Sequence, residues 1–250
     1  MPDIMAFFLR LYRIAALLLW SVLVGLLSVP YQFTGGWNGI RHMSRFTHLW
    51  NRGVAKIVNL RVKMSGEIPP VSGALVVSNH LSYLDIVTHG SVLPVRYSPK
   101  SDIAKWPILG WYIGLSRPIW TNRISRLASK KTLAEFAQTI KHGMYLIIYP
   151  EGTSTDGKNG ILPFKSTSFE AAIEGNMPIF PVLTSYKQSP GEPTVCWYGD
   201  MTLLPHVWQL LKFPSIEAEL RFLPPVFPSG RPRKELASFV HGVMAGEYGK

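Results

Sequence analysis

The chain has 250 residues, enough for one catalytic-sized domain with an appendage, and its 26 Lys and Arg against 15 Asp and Glu give a net charge of +11. Residues 1–65 supply +7 of this charge beside the most apolar part of the chain, which favours anionic lipid as a partner and argues against nucleic acid. Cys196 is the single cysteine, which excludes an intrachain disulfide.

The first predicted element is an apolar helix over residues 14–29, IAALLLWSVLVGLLSV. Sixteen uncharged residues make a helix of roughly 24 Å, short for a hydrocarbon core of about 30 Å. Arg10 and Arg13 are expected to extend towards water at one end. A cleaved signal peptide is disfavoured because SVPYQF offers no convincing cleavage site. The sequence leaves a single span and a monotopic insertion open.

An amphipathic helix is predicted next, over residues 38–58. Helical periodicity places the apolar residues on one face, Met43, Phe46, Trp50, Val54 and Ile57. The opposite face is basic, with Arg41, Arg45, Arg52 and Lys56. The apolar neighbour favours a helix lying on anionic lipid over one packed on the core with a solvated basic face. We therefore predict an N-terminal membrane-associated helical segment over 1–65 and a globular domain over 66–250.

Short β-rich and helical runs alternate from Gly73 onwards. This alternation predicts an α/β domain with a mostly parallel central sheet flanked by helices. The predicted strands cover 74–78, 94–98, 118–122, 144–150, 178–186, 194–199 and 216–226. The predicted helices cover 83–93, 126–142, 165–175 and 233–244.

His80 and Asp85 stand at the end of the first of these strands, in VVSNHLSYLDIV. They meet if His80 lies in the turn and Asp85 in the first turn of the next helix, where the helix dipole favours an acid. Such a pair forms a general base with an orienting carboxylate, although a structural hydrogen bond has the same pattern.

A nucleophile for a hydrolase would have to come from Ser82, the nearest candidate. No G-x-S-x-G elbow surrounds it, which argues weakly against a lysolipid hydrolase. No metal-ligand pattern follows the pair. A base that acts directly on a substrate hydroxyl needs only His80, Asp85 and a group that stabilises the oxyanion.

A second polar turn follows the strand in IIYPEGTSTDG, residues 147–157. Glu151 and Gly152 leave the sheet on a loop rich in backbone donors, as many ordinary turns of α/β domains do. Basic residues recur around these loops, at Lys100, Lys105, Arg117, Arg123 and Lys165. They are either solvated or ligands for an anionic head group.

These segments together resemble the glycerolipid acyltransferases, the family of 1-acyl-sn-glycerol-3-phosphate acyltransferase. NHLSYLD is similar to the family's Asn-His-x4-Asp motif and YPEGTSTDG to its Pro-Glu-Gly-Thr motif. PKSDIAKWPILGWYIGL with IWTNR resembles the arginine-bearing block, and IFPVLTSY the final strand. The four blocks occur in the family's order across residues 79–186, which makes the resemblance specific.

The resemblance implies an acyltransferase domain over 66–250, without a cofactor, that acylates a lysolipid hydroxyl from acyl-CoA or acyl carrier protein. It implies His80 as the base and Asp85 as its partner. It further implies a set of substrate-binding residues, which are Lys100, Arg123, Glu151, Gly152 and Thr153.

The implied acceptor is 1-acyl-sn-glycerol-3-phosphate, which gives phosphatidic acid, at the cytoplasmic face of the inner or plasma membrane. Ser154 stands where the family usually has Arg, and Arg117 with Pro118 where it usually has Gly. The first departure removes a phosphate ligand, so lyso-ornithine lipid or another lysolipid is the alternative. A non-catalytic membrane-binding protein is a further alternative, which the presence of His80, Asp85 and Glu151 together disfavours.

Overall fold

A six-stranded sheet forms the centre of the fold in the computed structural model, which describes residues 3–69, 73–121, 126–188 and 193–249. The strands are Leu60–Ser65 (β1), Ala74–Ser78 (β2), Val95–Arg96 (β3), Tyr145–Ile148 (β4), Ile179–Tyr186 (β5) and Ile216–Phe222 (β6). Their order is β1-β6-β5-β2-β4-β3. Strands β2 to β5 run parallel, and the pair β1 and β6 runs in the opposite direction. The predicted mostly parallel sheet is confirmed.

Helices cover both faces of this sheet. The helices of the described residues are Asp3–Gln32 (α1), Gly36–Ile57 (α2), Leu84–Val92 (α3), Leu109–Leu115 (α4), Arg126–Lys141 (α5), Glu170–Gly175 (α6), Leu203–Leu210 (α7) and Arg233–Glu247 (α8). Successive side chains of β2 point to opposite faces of the sheet. Leu75 and Val77 pack with α5 and α8, while Ala74 and Val76 pack with residues at the end of α3. Burial on both faces explains why β2 is uniformly apolar.

Two of the predicted strands are wrong. In residues 118–122, only Thr121 makes an isolated bridge, to Lys100, within the part that the structure describes. Residues 194–199 form no strand, because Trp197 N donates to the carbonyl of Leu81 (2.8 Å) and the segment covers the loop after β2 instead of joining the sheet. Val195 and Cys196 are buried in this covering segment.

Helix α1 is longer than the predicted apolar run, 30 residues or about 45 Å, and it is long and apolar enough to cross a membrane. Most of its large apolar side chains are exposed. Arg13 was expected to extend towards water, and this expectation is wrong, because its side chain is buried. Its guanidinium donates to the carbonyls of Ile57 (3.0 Å), Leu211 (3.1 Å) and Phe213 (2.6 Å). These carbonyls lie at the ends of α2 and α7, where helices leave acceptors unpaired.

Helices α1 and α2 pack tightly against each other. A Cβ at Gly53 would overlap the Trp20 ring, and Trp20 Nε1 donates to Trp50 O (3.0 Å). The interpretation of α2 that the sequence favoured, an apolar face on lipid, is wrong: Met43 and Val54 are buried, and Val54 and Trp50 pack with the core around Leu84. The four basic residues of α2 are all exposed on the opposite face. The domain boundary after residue 65 stays a prediction; β1, which ends at Ser65, is a strand of the sheet.

Candidate active site

His80 and Asp85 lie at the carboxyl end of β2, where parallel sheets present their ligands. His80 is in the loop between β2 and α3, and Asp85 is in the first turn of α3. His80 Nδ1 lies 2.8 Å from Asp85 Oδ2. The same carboxylate oxygen accepts the backbone N–H groups of Leu81 (2.8 Å) and Ser82 (3.1 Å). The structure therefore brings the two predicted residues together in the geometry of a base and its orienting carboxylate.

The other carboxylate oxygen of Asp85 is held by β5. Tyr186, the last residue of β5, donates its hydroxyl to Asp85 Oδ1 (2.7 Å), and the Thr88 hydroxyl lies 3.0 Å from the same phenol oxygen. Burial, followed by the charge of Asp85, raises the pKa of Tyr186 well above its usual value, so it remains a donor. The fully buried carboxylate thus has a partner on each oxygen, which a buried charge requires.

The imidazole of His80 is a fifth exposed and stacks on Tyr149, with ring centroids 4.4 Å apart. Tyr149 follows β4, and its hydroxyl lies 3.2 Å from Nδ1 of the buried His89. His89 Nδ1 is also 2.8 Å from the backbone carbonyl of Asp85, and its Nε2 is 3.2 Å from Thr184 Oγ1. Burial lowers the pKa of His89, which keeps this ring neutral. A layer of hydrogen-bonded rings therefore supports the His80 side chain.

Glu151 is buried beneath the His80 loop. Its Oε1 accepts the backbone N–H of His80 (2.7 Å), and its Oε2 accepts that of Leu162 (2.8 Å). Burial raises the pKa of Glu151, and its two backbone hydrogen bonds oppose that shift. Both carboxylate oxygens are engaged by backbone donors, so Glu151 fixes the position of His80. Its predicted part in the acceptor site stays a prediction.

The rest of the Pro-Glu-Gly-Thr turn faces solvent more openly. Gly152 has a φ of 81° and lies under the Lys165 ammonium, which a Cβ at this position would overlap. Thr153 is exposed, while Ser154 is 8% exposed. The loop is tied to the base, since Thr155 N donates to the carbonyl of His80 (3.0 Å). Gly152, Thr153 and Lys165 are therefore the parts of this turn that an acceptor can reach.

The basic residues of the arginine-bearing block lie in different places in the structure. Lys100 is exposed and pairs through its backbone with Thr121, and Arg123 lies outside the described residues. Arg117 adopts a φ of 50°, a conformation usually left to glycine, which accounts for the Gly that the family has there. Its guanidinium donates to the carbonyls of Gln32, the last residue of α1, and of Thr34. Arg117 therefore stabilises the end of α1, and it is not available as a head-group ligand.

The two nucleophile candidates are both buried. Ser82 Oγ is engaged within the protein, since it accepts the backbone N–H of Leu84 (3.2 Å), the first residue of α3. Cys196 is 5% exposed, and burial raises the pKa of its thiol. Neither is arranged to form a covalent acyl intermediate.

An apolar cavity of about 490 Å³ opens next to the His80 loop. Tyr83 and Leu84, which come directly after this loop, form part of its wall. The remaining wall comes from α1, α2, α4 and α7, with residues such as Leu17, Val24, Met43, Trp50 and Val207. A long apolar chain would fit a space of this composition.

Tyr186, Tyr149 and His89 had not been predicted as site residues. One signal could have found the tyrosines. Each ends or follows a strand that is parallel to β2 and adjacent to it, so their side chains had to reach the same sheet edge as His80. His89 had a weaker signal, its position four residues after Asp85 on the same helix face.

Comparison with known proteins places these features in a family. The family model described as Acyltransferase matches residues 59–185. A lyso-ornithine lipid O-acyltransferase from Brucella abortus is 30% identical, over 92% of this chain and 90% of its own. A 1-acyl-sn-glycerol-3-phosphate acyltransferase from Neisseria meningitidis is 27% identical, over 87% and 84%. The crystal structure of the 1-acyl-sn-glycerophosphate (LPA) acyltransferase PlsC from Thermotoga maritima shares the fold, with a TM-score of 0.70 at 22% identity over 99% and 96% of the two chains.

Proposed function

Because this chain belongs to the acyltransferase family and is an O-acyltransferase of lysolipids, we propose that His80 is the general base of the transfer. The observation that carries the proposal is the 2.8 Å contact between His80 Nδ1 and the fully buried Asp85 carboxylate. This contact fixes the ring orientation and leaves Nε2 for the substrate.

In the proposed reaction, Nε2 of His80 takes the proton of the lysolipid hydroxyl as its oxygen attacks the carbonyl carbon of the thioester. The new C–O ester bond forms, the C–S bond breaks, and the imidazolium returns the proton to the leaving thiolate. Asp85 stabilises the imidazolium between these steps. The donor is acyl-CoA or acyl carrier protein, and no cofactor takes part. Transfer is direct, because Ser82 and Cys196 are buried and otherwise engaged.

The apolar cavity would hold an acyl chain during the transfer. Its volume of about 490 Å³ suits a chain of fatty-acid size, and its wall is almost entirely apolar. Because α1 and α2 supply much of this wall, the N-terminal helices take part in substrate binding as well as in membrane association.

The acceptor that we propose first is lyso-ornithine lipid, the alternative named in the sequence analysis. Its head group carries one carboxylate and one ammonium, whereas a phosphate monoester concentrates up to two negative charges and prefers several cations. Ser154 provides a small, buried, uncharged group where the family usually has Arg. The similarity to the Brucella abortus enzyme supports the same acceptor.

The second candidate acceptor is 1-acyl-sn-glycerol-3-phosphate, with phosphatidic acid as its product. It is favoured by the exposed cations Lys100 and Lys165, the second of which lies against Gly152. The similarity to the Neisseria meningitidis enzyme supports it as well.

We place the protein on one leaflet of the membrane, as a monotopic protein. Contacts with the domain extend along α1 from Arg10, which donates to Trp208 O, to Gln32, which donates to Leu115 O, a distance of about 33 Å along the helix axis. A crossing helix would pull the polar domain into hydrocarbon. The water-soluble thioester donors are cytoplasmic, so the cytoplasmic face of the inner or plasma membrane is the expected location.

The test is an acylation assay on the purified full-length protein. The labelled donor is acyl-CoA or acylated acyl carrier protein. The acceptors are lyso-ornithine lipid, 1-acyl-sn-glycerol-3-phosphate and lysophosphatidylethanolamine, and the products are identified by mass spectrometry. We expect His80→Ala to lower the rate by about 100-fold or more. His142→Ala, outside the site, is the control. A folded His80→Ala variant within a few-fold of wild type would contradict the mechanism, and the preferred product decides between the acceptors.

A further inference from the structure

A short apolar projection stands beside α1, formed by residues 106–111 (WPILGW) and here called the tip segment. It follows the 3-10 turn Ser101–Lys105 and includes the first three residues of α4. Its large side chains are exposed: Trp106 43%, Ile108 82%, Leu109 40% and Trp111 68%. Contiguous exposed apolar side chains of this size mark a surface that contacts a partner or a membrane.

The backbone of the tip segment is held by local hydrogen bonds and close packing. Gly110 N donates to Trp106 O (2.9 Å) and Tyr112 N to Ile108 O (2.8 Å), which satisfies these backbone groups within the segment. Gly110 has no room for a side chain, because a Cβ there would overlap the carbonyl of Ala104. Ile108 has a φ of 61°, a strained conformation for a β-branched residue that persists only where the surrounding structure fixes it. A fixed backbone thus presents the Ile108 side chain to the exterior.

This surface continues the exposed apolar face of α1. Tyr112, which follows the tip segment, donates its hydroxyl to the carbonyl of Ser21 in α1 (3.0 Å). Its ring also approaches α1 at Gly25, where a Cβ would come within 3.7 Å of it. Leu18, Leu19 and Val22 of the same helix are exposed. The tip segment and α1 therefore present neighbouring apolar surfaces.

The charges around the tip segment suit a bilayer surface. Residues 106–116 contain no charged residue, whereas Lys100 and Lys105 precede them and are exposed, together with Asp102. Two tryptophans beside an apolar stretch, with lysines on its water side, are the composition of membrane interfaces. A soluble protein partner would have no need of the continuity with α1.

We propose that the tip segment is a second membrane-insertion element, which enters the boundary between head groups and acyl chains in the leaflet that α1 contacts. The proposal rests on the membrane association proposed above. Leu109 in this segment and Tyr112 and Ile113 after it line the apolar cavity. Insertion would therefore place the cavity wall against lipid, and an acyl chain would reach the cavity between α1 and α4 without crossing water.

The single cysteine makes a direct test practical. In a Cys196→Ala background, Ile108→Cys is labelled with an environment-sensitive fluorophore and mixed with phosphatidylcholine–phosphatidylglycerol vesicles. The matched control is a label at Phe227→Cys, a residue 52% exposed on the segment after β6. We expect a blue shift, a several-fold rise in emission and quenching by brominated lipid at position 108 only. Equal behaviour of both labels, or no change at 108 while the protein sediments with vesicles, would overturn the proposal.

A second experiment separates insertion from catalysis. Ile108→Glu with Trp111→Glu, neither of which lines the cavity, should weaken vesicle binding about tenfold or more, with Phe227→Glu as control. Activity on a long-chain acceptor in vesicles should fall in parallel, while activity on a short, water-soluble acceptor stays within about twofold. A double variant that binds vesicles as wild type does, or that instead dissociates a dimer, would refute the tip segment as a membrane element. If the wild-type protein acylates neither acceptor, the proposed function fails, and this result is distinct from a failure of vesicle binding.

Discussion

The hydroxyl of Tyr186 donates to the carboxylate oxygen of Asp85 that His80 does not use, at 2.7 Å. Two residues 101 positions apart thus share one buried charge. Because Asp85 is fully buried, each donor contributes to keeping its carboxylate ionised and correctly oriented for the imidazolium.

Tyr186→Phe should lower kcat about 10- to 100-fold with little change in KM. The reason is the loss of a hydrogen bond to a charged group, about 1.5–3 kcal/mol. Tyr149→Phe is the matched control, since it keeps the ring that stacks on His80 and removes a hydroxyl that contacts His89. Steady-state kinetics on both variants checks this, and an equal loss in the two would show that Tyr186 has no special part.

Glu151→Gln should impair turnover and stability without weakening acceptor binding. A glutamine amide offers only one acceptor oxygen, so the backbone N–H of either His80 or Leu162 loses its partner. We expect about 1–3 kcal/mol less stability and a lower kcat. Denaturant unfolding and kinetics measure these quantities, with the exposed Glu174→Gln as control. A raised KM for the acceptor with unchanged kcat would instead give Glu151 a direct part in acceptor binding.

Stability should fall with acidity because of His89. Burial lowers the pKa of this ring from the usual 6.5. Below pH 6.5, His89 is therefore protonated in the unfolded chain and remains neutral in the folded protein. The stabilisation is present above pH 6.5 and is lost as the pH falls. His89 should therefore make the folded state less stable at pH 5.5 than at pH 7.5. Urea unfolding of wild type and His89→Gln in detergent measures it, and an identical pH dependence of both would contradict the assignment.

Charge reversal on α2 should weaken binding to anionic vesicles in a salt-dependent way. Arg45, Arg52 and Lys56 are exposed, so their replacement by Glu leaves packing intact. Each cation near an anionic surface contributes about 1 kcal/mol, which predicts at least a hundredfold loss at low salt and a smaller one at high salt. Co-sedimentation with vesicles tests this against Lys130, Lys131 and Lys234 reversed together. Equal losses in the two triple variants would mean that the basic face of α2 does not contact lipid.

The contact between His80 and Asp85 could be predicted because it is local. Five residues separate them, and a strand, a turn and one helical turn determine the geometry. Tyr186 reaches Asp85 only because β5 pairs with β2 in the register Ser78 opposite Val182. The end of a predicted strand places Tyr186 at the same sheet edge as His80, but the pairing that brings it to Asp85 depends on the tertiary fold.

The same limit applies to the cavity and the N-terminal helices. The sequence shows which residues of α1 and α2 are apolar, but it does not show that several of them line a cavity beside the site. Arg13 is the clearest case. A charge next to an apolar run usually extends to water, and only the carbonyls of Leu211 and Phe213 from the far end of the chain reverse that expectation.

The hydrogen bonds of Arg13 also impose an order on how the protein is made. Its guanidinium meets carbonyls 198 and 200 residues later in the chain, so during synthesis α1 is complete long before its partners exist. In that interval the charge stays hydrated, which holds the nascent helix at head-group depth and keeps it from sinking further into the bilayer. The last third of the chain then folds against a helix already at the membrane. We therefore expect this acyltransferase to complete its tertiary structure at the membrane surface, and not as a soluble form that binds the membrane afterwards.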